Sequence, residues 1–278
     1  MTRWTAEFVE REYNARNTVP EHPGIFARWE RDSDFARRTL KCELDLAYGS
    51  DPRHRLDLFP AKSPRGVLVF IHGGYWRALD KAMFAWIAPS FVAAGLSVAN
   101  LNYRLCPQVT IGEIMDDVAA AANWIFADAR CREAGAGRVP MVVSGHSAGG
   151  HLVAALFSTP RDRLAFDPKS IAGGLPISGV FDLEPLPFYS ANEDLRLDAE
   201  GARRWSVVQA KPTIAAPLVV AAGGAETAEF QRQSRDFTAA WAPQARECLI
   251  LPGLNHFTVL DALVERGQPL HQAALALL

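Results

Sequence analysis

The sequence predicts a single α/β domain built on a mostly parallel sheet, and three observations support that prediction. From Gly66 onward, short apolar runs alternate with segments of helical periodicity. That order is typical of a twisted parallel sheet with helices on both faces. The 278 residues suffice for one large domain and are too few for two ordinary ones. A content of 49% hydrophobic and 22% charged residues is ordinary for a globular protein.

The elements follow from the pattern in order along the chain. A hairpin comes first, with strands at 42–48 and 55–59 that alternate polar and apolar residues around a turn at 49–52. Six further strands are predicted at 66–71, 96–100, 139–144, 171–177, 217–222 and 246–251. Helices are predicted at 81–94, 110–130, 148–158, 227–242 and 257–276.

Two segments lie outside this alternation. Residues 1–40 are charged and aromatic, with helical character over 6–16 and 25–38, and we expect them to form an N-terminal cap on the domain. Residues 182–216 separate two strands by an unusually long, charged stretch. A connection of that size is more often a lid or binding insertion than a plain loop, so we interpret it as lid-like.

The net charge and the cysteine content limit which classes of binding partner and which cellular compartment are expected. The formal net charge of −2 gives no sign of a nucleic-acid or anionic membrane partner. The four cysteines are scattered, without a C-x-x-C pair or clustering with histidines, which predicts free thiols and no metal site. Neither a signal-peptide core nor a membrane-length apolar run is present, so a cytoplasmic location is expected.

The most informative motif is Gly145-His146-Ser147-Ala148-Gly149. It follows an apolar, β-branched run and precedes a helix-forming stretch, which is the context that a nucleophile elbow requires. The tight turn needs residues without side chains two positions before and after the serine, and glycine meets that demand. Ser147 is therefore the predicted nucleophile. The bare five-residue pattern is common by chance, so the strand and helix around it carry the prediction.

A second motif, His72-Gly73-Gly74-Tyr75-Trp76, directly follows the apolar strand at 66–71. Acyl-transfer enzymes need backbone N–H donors aimed at the developing oxyanion, and a glycine-rich loop after an early strand supplies them. A plain turn would also use two glycines. The presence of both motifs in one chain, 75 residues apart, favours the catalytic interpretation.

A serine nucleophile needs a base, and the base needs a carboxylate to orient it. His256 lies in a loop after the last strand, where a base would reach the elbow, whereas His271 is expected on the surface of the terminal helix. Glu226, in the loop after strand 217–222, is the favoured acid. Asp182 stays an alternative because its loop also follows a strand.

These motifs carry a family resemblance over nearly the whole chain. His72–Trp76 together with Gly145–His151, and the segment Asn102-Tyr103-Arg104-Leu105-Cys106-Pro107, resemble the hormone-sensitive-lipase-like branch of the α/β-hydrolases. Tyr13-Asn14-Ala15-Arg16 and the stretch Ser-Gly-Val-Phe-Asp-Leu at 178–183 are similar to kynurenine formamidases (arylformamidases) and their bacterial esterase relatives.

The resemblance implies an α/β-hydrolase fold and specific roles. Ser147 would be the nucleophile and His256 the base. The backbone N–H groups of Gly74, Tyr75 and Ala148 would form the oxyanion hole. The formamidases carry aspartate as the acid, so Glu226 is a departure from their pattern.

The sequence therefore predicts a serine hydrolase that needs no metal or cofactor and acts on a small-molecule substrate, with a homodimer left open. An arylformamidase acting on a substrate of the N-formylkynurenine type is the favoured function. A short-chain carboxylesterase is the alternative, and a non-catalytic binding protein on the same fold is a distant third. Trp76, Phe188 and Tyr189, together with Tyr75, are the candidate contacts to an aromatic or apolar substrate.

Overall fold

The computed structural model describes residues 4–128 and 140–278, which are organised around one eight-stranded sheet. The strands are β1 (Glu43–Ala47), β2 (Arg55–Phe59), β3 (Gly66–Ile71), β4 (Leu96–Leu101), β5 (Met141–His146), β6 (Ile171–Ile177), β7 (Leu218–Gly223) and β8 (Ala245–Leu251). Their order across the sheet is β1-β2-β4-β3-β5-β6-β7-β8. The hairpin strands β1 and β2 run antiparallel to their neighbours, and all other neighbours are parallel. The predicted fold class is confirmed.

Helices connect and flank these strands. The α-helices are α1 (Ala6–Tyr13), α2 (Ala15–Thr18), α3 (His22–Thr39), α4 (Ala88–Ala93), α5 (Ile111–Ala127), α6 (Ala148–Phe157), α7 (Asn192–Leu195), α8 (Ala199–Trp205), α9 (Ala228–Ala240), α10 (Asp261–Val264) and α11 (Pro269–Ala276). Short 3₁₀ helices occupy Lys81–Ile87, Arg161–Arg163, Pro168–Ser170, Leu186–Phe188 and Thr258–Leu260.

The strands β3, β4 and β5 form the centre of the sheet and are buried along their whole length. Most of their residues are apolar, because a strand covered on both faces has no solvent side for polar residues. The edge strand β1, by contrast, leaves all five of its residues exposed or half-buried. The central strands end at one edge of the sheet, and the loops that leave this edge carry the predicted site residues.

Two predicted helices differ from the structure. The helix expected at 81–94 is a 3₁₀ segment followed by α4, with Pro89 in the first turn of α4. The helix expected at 257–276 is three short helices, because Gly267 adopts a φ of +86° and Pro269 starts a new helix at its first turn. The first residue of the strand predicted at 139–144 and the last residues of the helix predicted at 110–130 lie outside the described residues.

The surface position expected for His271 is wrong. His271 is buried, and its ring stacks on Phe91 with 5.1 Å between the ring centroids. The break in the terminal helix explains the difference, because α11 begins at Pro269 and presents its own face to the protein interior.

The N-terminal segment packs onto the domain through buried polar contacts. The hydroxyl of Tyr13 donates to Oε2 of Glu229 in α9 at 2.7 Å, and Gln233 Nε2 donates to the Tyr13 oxygen at 2.8 Å. The hydroxyl of Thr227 donates to the carbonyl of Glu12 at 2.6 Å. These bonds fix the segment that follows α1 at the edge of the sheet where the site residues lie.

Candidate active site

Ser147 occupies the sharp turn between β5 and α6. Its backbone has φ 56° and ψ −120°, a region that costs a residue with a side chain about 1–3 kcal/mol. Its N–H donates to the carbonyl of Ile177 at the end of β6, at 2.9 Å, which holds the turn against the neighbouring strand. The strained backbone places Ser147 at the N-terminus of α6 and on the wall of a cavity.

The two glycines of the elbow are sterically required. A Cβ on Gly149 would lie 2.0 Å from the carbonyl oxygen of Ile71, and a Cβ on Gly145 would lie 2.3 Å from the carbonyl oxygen of Gly149. Both contacts are with backbone, which cannot move aside as a flexible side chain would. The sequence pattern around Ser147 is therefore a consequence of how closely β3, β5 and α6 approach one another.

His256 contacts Glu226 and lines the same cavity as Ser147. The ring Nδ1 of His256 lies 2.7 Å from Oε2 of Glu226, and both side chains are buried. Their loops are joined by backbone hydrogen bonds, since Ala225 N–H donates to the carbonyl of Leu254 and Gly224 N–H to that of Leu251. The loops after β7 and β8 thus bring the two side chains together across 30 residues of sequence.

Asp182, the alternative acid, does not reach His256. Its carboxylate accepts the N–H of Glu184, two residues further along, at 3.0 Å. Its own backbone N–H donates to Oε1 of Gln233. These contacts fix the loop after β6 on the α9 side, and the structure brings Glu226 rather than Asp182 to the histidine.

His146, which sequence reasoning did not assign, supports the loop that carries His256. Its Nε2 donates to the carbonyl of His256 at 2.7 Å, and the two rings lie 4.7 Å apart. Burial lowers the pKa of His146 well below its usual value, so the ring is neutral. The signal that the sequence offered was its position directly before Ser147 in the elbow motif.

The loop after β3 presents free backbone donors at the same edge. Gly74 and Tyr75 both have positive φ, 106° and 49°. Within the described ranges, no group accepts a hydrogen bond from the N–H of Gly74, Tyr75 or Ala148. The loop also lies directly over the serine, since a Cβ on Gly73 would come within 3.0 Å of Ser147 Cβ. The arrangement suits an oxyanion hole.

Two side chains anchor this loop. The hydroxyl of Tyr75 donates to the carbonyl of Tyr13 at 2.5 Å, and burial raises the pKa of Tyr75 well above its usual value, so the phenol stays protonated. The His72 ring stacks on Tyr103 at 4.5 Å, and its Nε2 lies 3.1 Å from Oδ1 of Asn102. Burial lowers the pKa of His72 to about 4, so this ring too is neutral.

Ser147 and His256 both line a cavity of about 360 Å³. One part of its wall is aromatic and apolar, formed by Phe26, Trp29, Leu79, Phe84 and Phe257. The other part is polar and carries two arginines but no carboxylate, with Asn14, Arg16, Asn17, Arg77 and Ser190. Such a cavity suits a small molecule with an apolar body and a polar or anionic end.

Of the four predicted substrate contacts, Tyr75 and Tyr189 line this cavity. Trp76 and Phe188 do not line it, and their assignment as substrate contacts is corrected. Trp76 is fully buried and packs edge-on against His151 at 5.0 Å, because its positive φ of 54° turns the side chain into the core. Phe188 is half-buried and packs on the core. The cavity residues that the sequence did not indicate include those of α2 and α3 and also Arg77, Leu79, Phe84, Ser190 and Phe257. Contacts between segments so far apart in the chain leave no trace in local periodicity.

Three histidines that are buried and neutral predict acid lability. Burial lowers the pKa of His72 and of His151 to about 4. It also lowers the pKa of His146 well below the usual value for a histidine. The unfolded chain therefore takes up protons below about pH 6.5 while the folded chain does not, so stability falls as the pH falls.

From pH 7.5 to 5.5 we expect the free energy of unfolding to drop by a few kcal/mol, on the order of 1 kcal/mol for each histidine. Urea unfolding monitored by tryptophan fluorescence at the two pH values measures the difference. Equal midpoints at both values would contradict the prediction.

Among the described residues, no group of three or more His, Cys, Asp or Glu side chains is arranged to hold a metal ion. In the same part of the chain, no helix is both long enough and apolar enough to cross a membrane.

Comparison with known proteins identifies the family. The crystal structure of a thioesterase candidate from Silicibacter sp. superposes with a TM-score of 0.86 at 32% sequence identity, covering 96% of this chain and 98% of that one. The chain belongs to the α/β-hydrolases, on the hormone-sensitive-lipase-like branch close to the arylformamidases. A family profile described as BD-FAE matches residues 56–173, which span β2 to β6 and contain both glycine-rich motifs.

Curated relatives of this α/β-hydrolase are enzymes. Kynurenine formamidase of Salmo salar is 27% identical over 88% of this chain and 85% of its own length. Kynurenine formamidase of Drosophila melanogaster is 26% identical over 78% and 75%. A carbohydrate esterase from gut microbiota shares the fold, with a TM-score of 0.68 at 18% identity over 85% of this chain and 95% of that one. The chain is a hydrolase.

Proposed function

We propose that the protein hydrolyses a small-acyl amide of an aromatic amine, of the N-formylkynurenine type, through an acyl-enzyme on Ser147. The observation that carries the proposal is that Ser147, His256, Gly74 and Tyr75 line one cavity. Glu226 is bonded to His256, and the N–H groups of Gly74, Tyr75 and Ala148 donate to no group in the described chain. The similarity to kynurenine formamidases over most of both chains supports a substrate that has an amide bond and an aromatic group.

In the proposed reaction, the Ser147 hydroxyl attacks the formyl carbon while His256 Nε2 takes the hydroxyl proton. Glu226, bonded to Nδ1, stabilises the imidazolium that forms. The negative charge on the carbonyl oxygen is held by the three backbone N–H groups. The C–N bond then breaks, and His256 returns its proton to the leaving arylamine. Water, deprotonated by His256, attacks the formyl ester, and formate leaves as Ser147 recovers its proton.

The charge on the cavity wall supports a substrate with a carboxylate, such as the amino-acid end of N-formylkynurenine. Within the described chain, Arg16 makes no ion pair, and its guanidinium lies 5.7 Å from the centre of the Phe26 ring. Arg77, the other arginine on the wall, is already paired with Asp194. Arg16 is thus the cation free to bind an anion at the cavity.

We expect Arg16→Gln to lower the preference for N-formylkynurenine over p-nitrophenyl acetate about threefold to fivefold, since one exposed charged contact of about 0.6–1 kcal/mol is lost. The measurement is the ratio of kcat/KM for the two substrates. Arg31→Gln is the matched control, because Arg31 lies on α3 outside the cavity and pairs with Asp32 at the surface. An unchanged ratio in Arg16→Gln would rule out this contact.

A short-chain carboxylesterase is the second candidate, because the same site cleaves an acetyl ester by the same steps and several structural neighbours are esterases. Side-by-side turnover of N-formylkynurenine and p-nitrophenyl acetate tests both. Formamide turnover at the higher kcat/KM supports the first proposal, and ester turnover alone supports the second. Absence of turnover on both would favour a binding protein on the same fold.

Acyl-chain length tests the small-acyl preference. Trp29 and Phe84 line the cavity and are almost fully buried, so they have little room to move. Overpacking costs about 1–3 kcal/mol, more than the ~0.8 kcal/mol gained per buried methylene, and kcat/KM should fall from p-nitrophenyl acetate to butyrate to octanoate. A steady rise to octanoate would indicate an open lipase-like groove and would contradict the formamidase proposal.

We infer a reducing, cytoplasmic location from the cysteines, because Cys42, Cys106 and Cys248 are free thiols in the described part of the chain. A homodimer, the cap role of residues 1–40, the lid role of 182–216 and the lack of nucleic-acid or membrane partners stay predictions. Size-exclusion chromatography with light scattering would measure the oligomeric state.

A further inference from the structure

Ser178, which follows β6, is a strained and fully buried residue that the mechanism above does not use. Its φ is +51°, in the left-handed region that glycine adopts without cost and that a residue with a Cβ rarely enters. Its N–H donates to the carbonyl of Ala221 in β7 at 2.7 Å. Glycine would adopt this backbone conformation without strain. Because the chain has a serine here instead, we expect a contact that only the hydroxyl can make.

The hydroxyl of Ser178 donates to Oε1 of Glu226 at 2.6 Å. The N–H of Gly223 donates to the same oxygen at 2.5 Å, while the other oxygen, Oε2, contacts His256. The carboxylate is fully buried, so these three contacts provide its fixed orientation. Glutamate has one more rotatable bond than aspartate, and two donors on the far oxygen hold that extra bond in one rotamer.

The turn that carries Ser178 also holds the nucleophile. The carbonyl of Ile177, one residue earlier, accepts the N–H of Ser147 at 2.9 Å. Helix α6 packs closely on the same turn, since a Cβ on Gly150 would lie 3.0 Å from the Cα of Gly179. One peptide therefore separates the contact to Ser147 from the contact to Glu226, and the turn sets the distance between the two ends of the Ser147–His256–Glu226 row.

We propose that Ser178 is a positioning residue of the active site, whose hydroxyl holds the Glu226 carboxylate in the orientation that keeps His256 in place for Ser147. Ser178 touches neither substrate nor the reacting atoms and acts through Glu226. The inference rests on one part of the proposed function, namely that Ser147 and His256 carry the reaction. It applies equally whether the substrate is an amide or an ester.

The test compares Ser178→Ala and Ser178→Gly with Ser144→Ala. Ser178→Gly removes the hydroxyl and relaxes the backbone, so it carries the test if Ser178→Ala does not fold. Ser144 is a matched control because it is a buried serine in β5 whose hydroxyl donates to the carbonyl of Leu175, away from Glu226. We expect both Ser178 variants to lower kcat about tenfold with KM within about twofold, while Ser144→Ala changes kcat less than about twofold.

A double-mutant cycle separates positioning from a general structural effect. In a Glu226→Ala background the hydroxyl has no carboxylate to hold, so adding Ser178→Gly should change kcat less than about twofold. The same tenfold loss in that background, or a kcat within twofold of the unmodified protein for Ser178→Gly alone, would overturn the proposal.

The rate at which a fluorophosphonate labels Ser147 makes the test independent of the substrate. Labelling requires an activated serine but no knowledge of the natural substrate. If neither N-formylkynurenine nor p-nitrophenyl acetate is turned over, the labelling rates of the same variants still show whether Ser178 acts through Glu226. A tenfold slower labelling that disappears in the Glu226→Ala background supports the role, and equal rates for Ser178→Gly and the unmodified protein refute it.

Discussion

Ser147→Ala is expected to lower kcat by a factor on the order of 10⁴–10⁶ while leaving the fold unchanged. The hydroxyl is the atom that forms the acyl-enzyme in the proposed reaction, and neither water nor another side chain replaces it. The substitution removes one oxygen and keeps the Cβ, so the elbow between β5 and α6 retains its packing. The measurements are kcat on both test substrates and the midpoint of thermal unfolding.

Ser190→Ala provides the matched control for this substitution. Ser190 is a second serine on the wall of the same cavity, but it lies in the insertion at 182–216 and not at the elbow. Its loss should change kcat by less than about threefold, as expected for an exposed polar contact. If Ser147→Ala keeps more than a few per cent of the activity on every substrate, the nucleophile is another residue.

Glu226→Gln is expected to lower kcat by a factor on the order of 10³–10⁴. The glutamine side chain has nearly the shape of glutamate, but its amide carries no charge to stabilise the imidazolium. When the Ser178 hydroxyl and the Gly223 N–H keep the carbonyl oxygen of the amide, its NH₂ group faces His256 Nδ1. The ring must then take the tautomer with its proton on Nε2, which prevents it from accepting the Ser147 proton.

Asp182→Asn tests the alternative acid with the same change of charge. The Asp182 carboxylate bonds to the N–H of Glu184 outside the His256 contact, and an asparagine oxygen accepts that bond equally well. We expect kcat to stay within about twofold. A large loss in Asp182→Asn together with a small one in Glu226→Gln would reverse the assignment of the acid.

The sheet was predictable from sequence because its central strands are buried on both faces. The boundaries of β3 and β6 match the predicted strands residue for residue. An apolar run that is flanked by polar or turn residues shows where the strand begins and ends. The elbow and the loop at 72–76 were predictable for a related reason. Their backbones need glycine at fixed positions, and glycines at those spacings can be recognised directly in the sequence.

The cavity wall was much less predictable. Trp76 is the last residue of the loop motif and was predicted to contact the substrate, yet it has a positive φ and its ring is buried in the core. Phe26 and Trp29 line the cavity although α3 gives only the pattern of an ordinary amphipathic helix. Which face of a distant helix meets a cavity depends on how whole elements pack, and no local pattern of residues records it.

The contacts of the N-terminal segment have a consequence for synthesis of the protein. Tyr75 is bonded to Tyr13, and the cavity wall joins residues 14–29 to His256 and Phe257. During synthesis on the ribosome, Ser147 is added to the chain long before His256. The proposed nucleophile is therefore present for some time without the proposed base. If Ser147 and His256 carry the reaction as proposed, we expect activity only when nearly the whole described chain has emerged and its first helices have packed against the loop that carries His256. Hydrolysis of a fluorogenic ester would thus report completion of folding, and two fragments divided between β5 and β8 would be inactive apart and active once they associate.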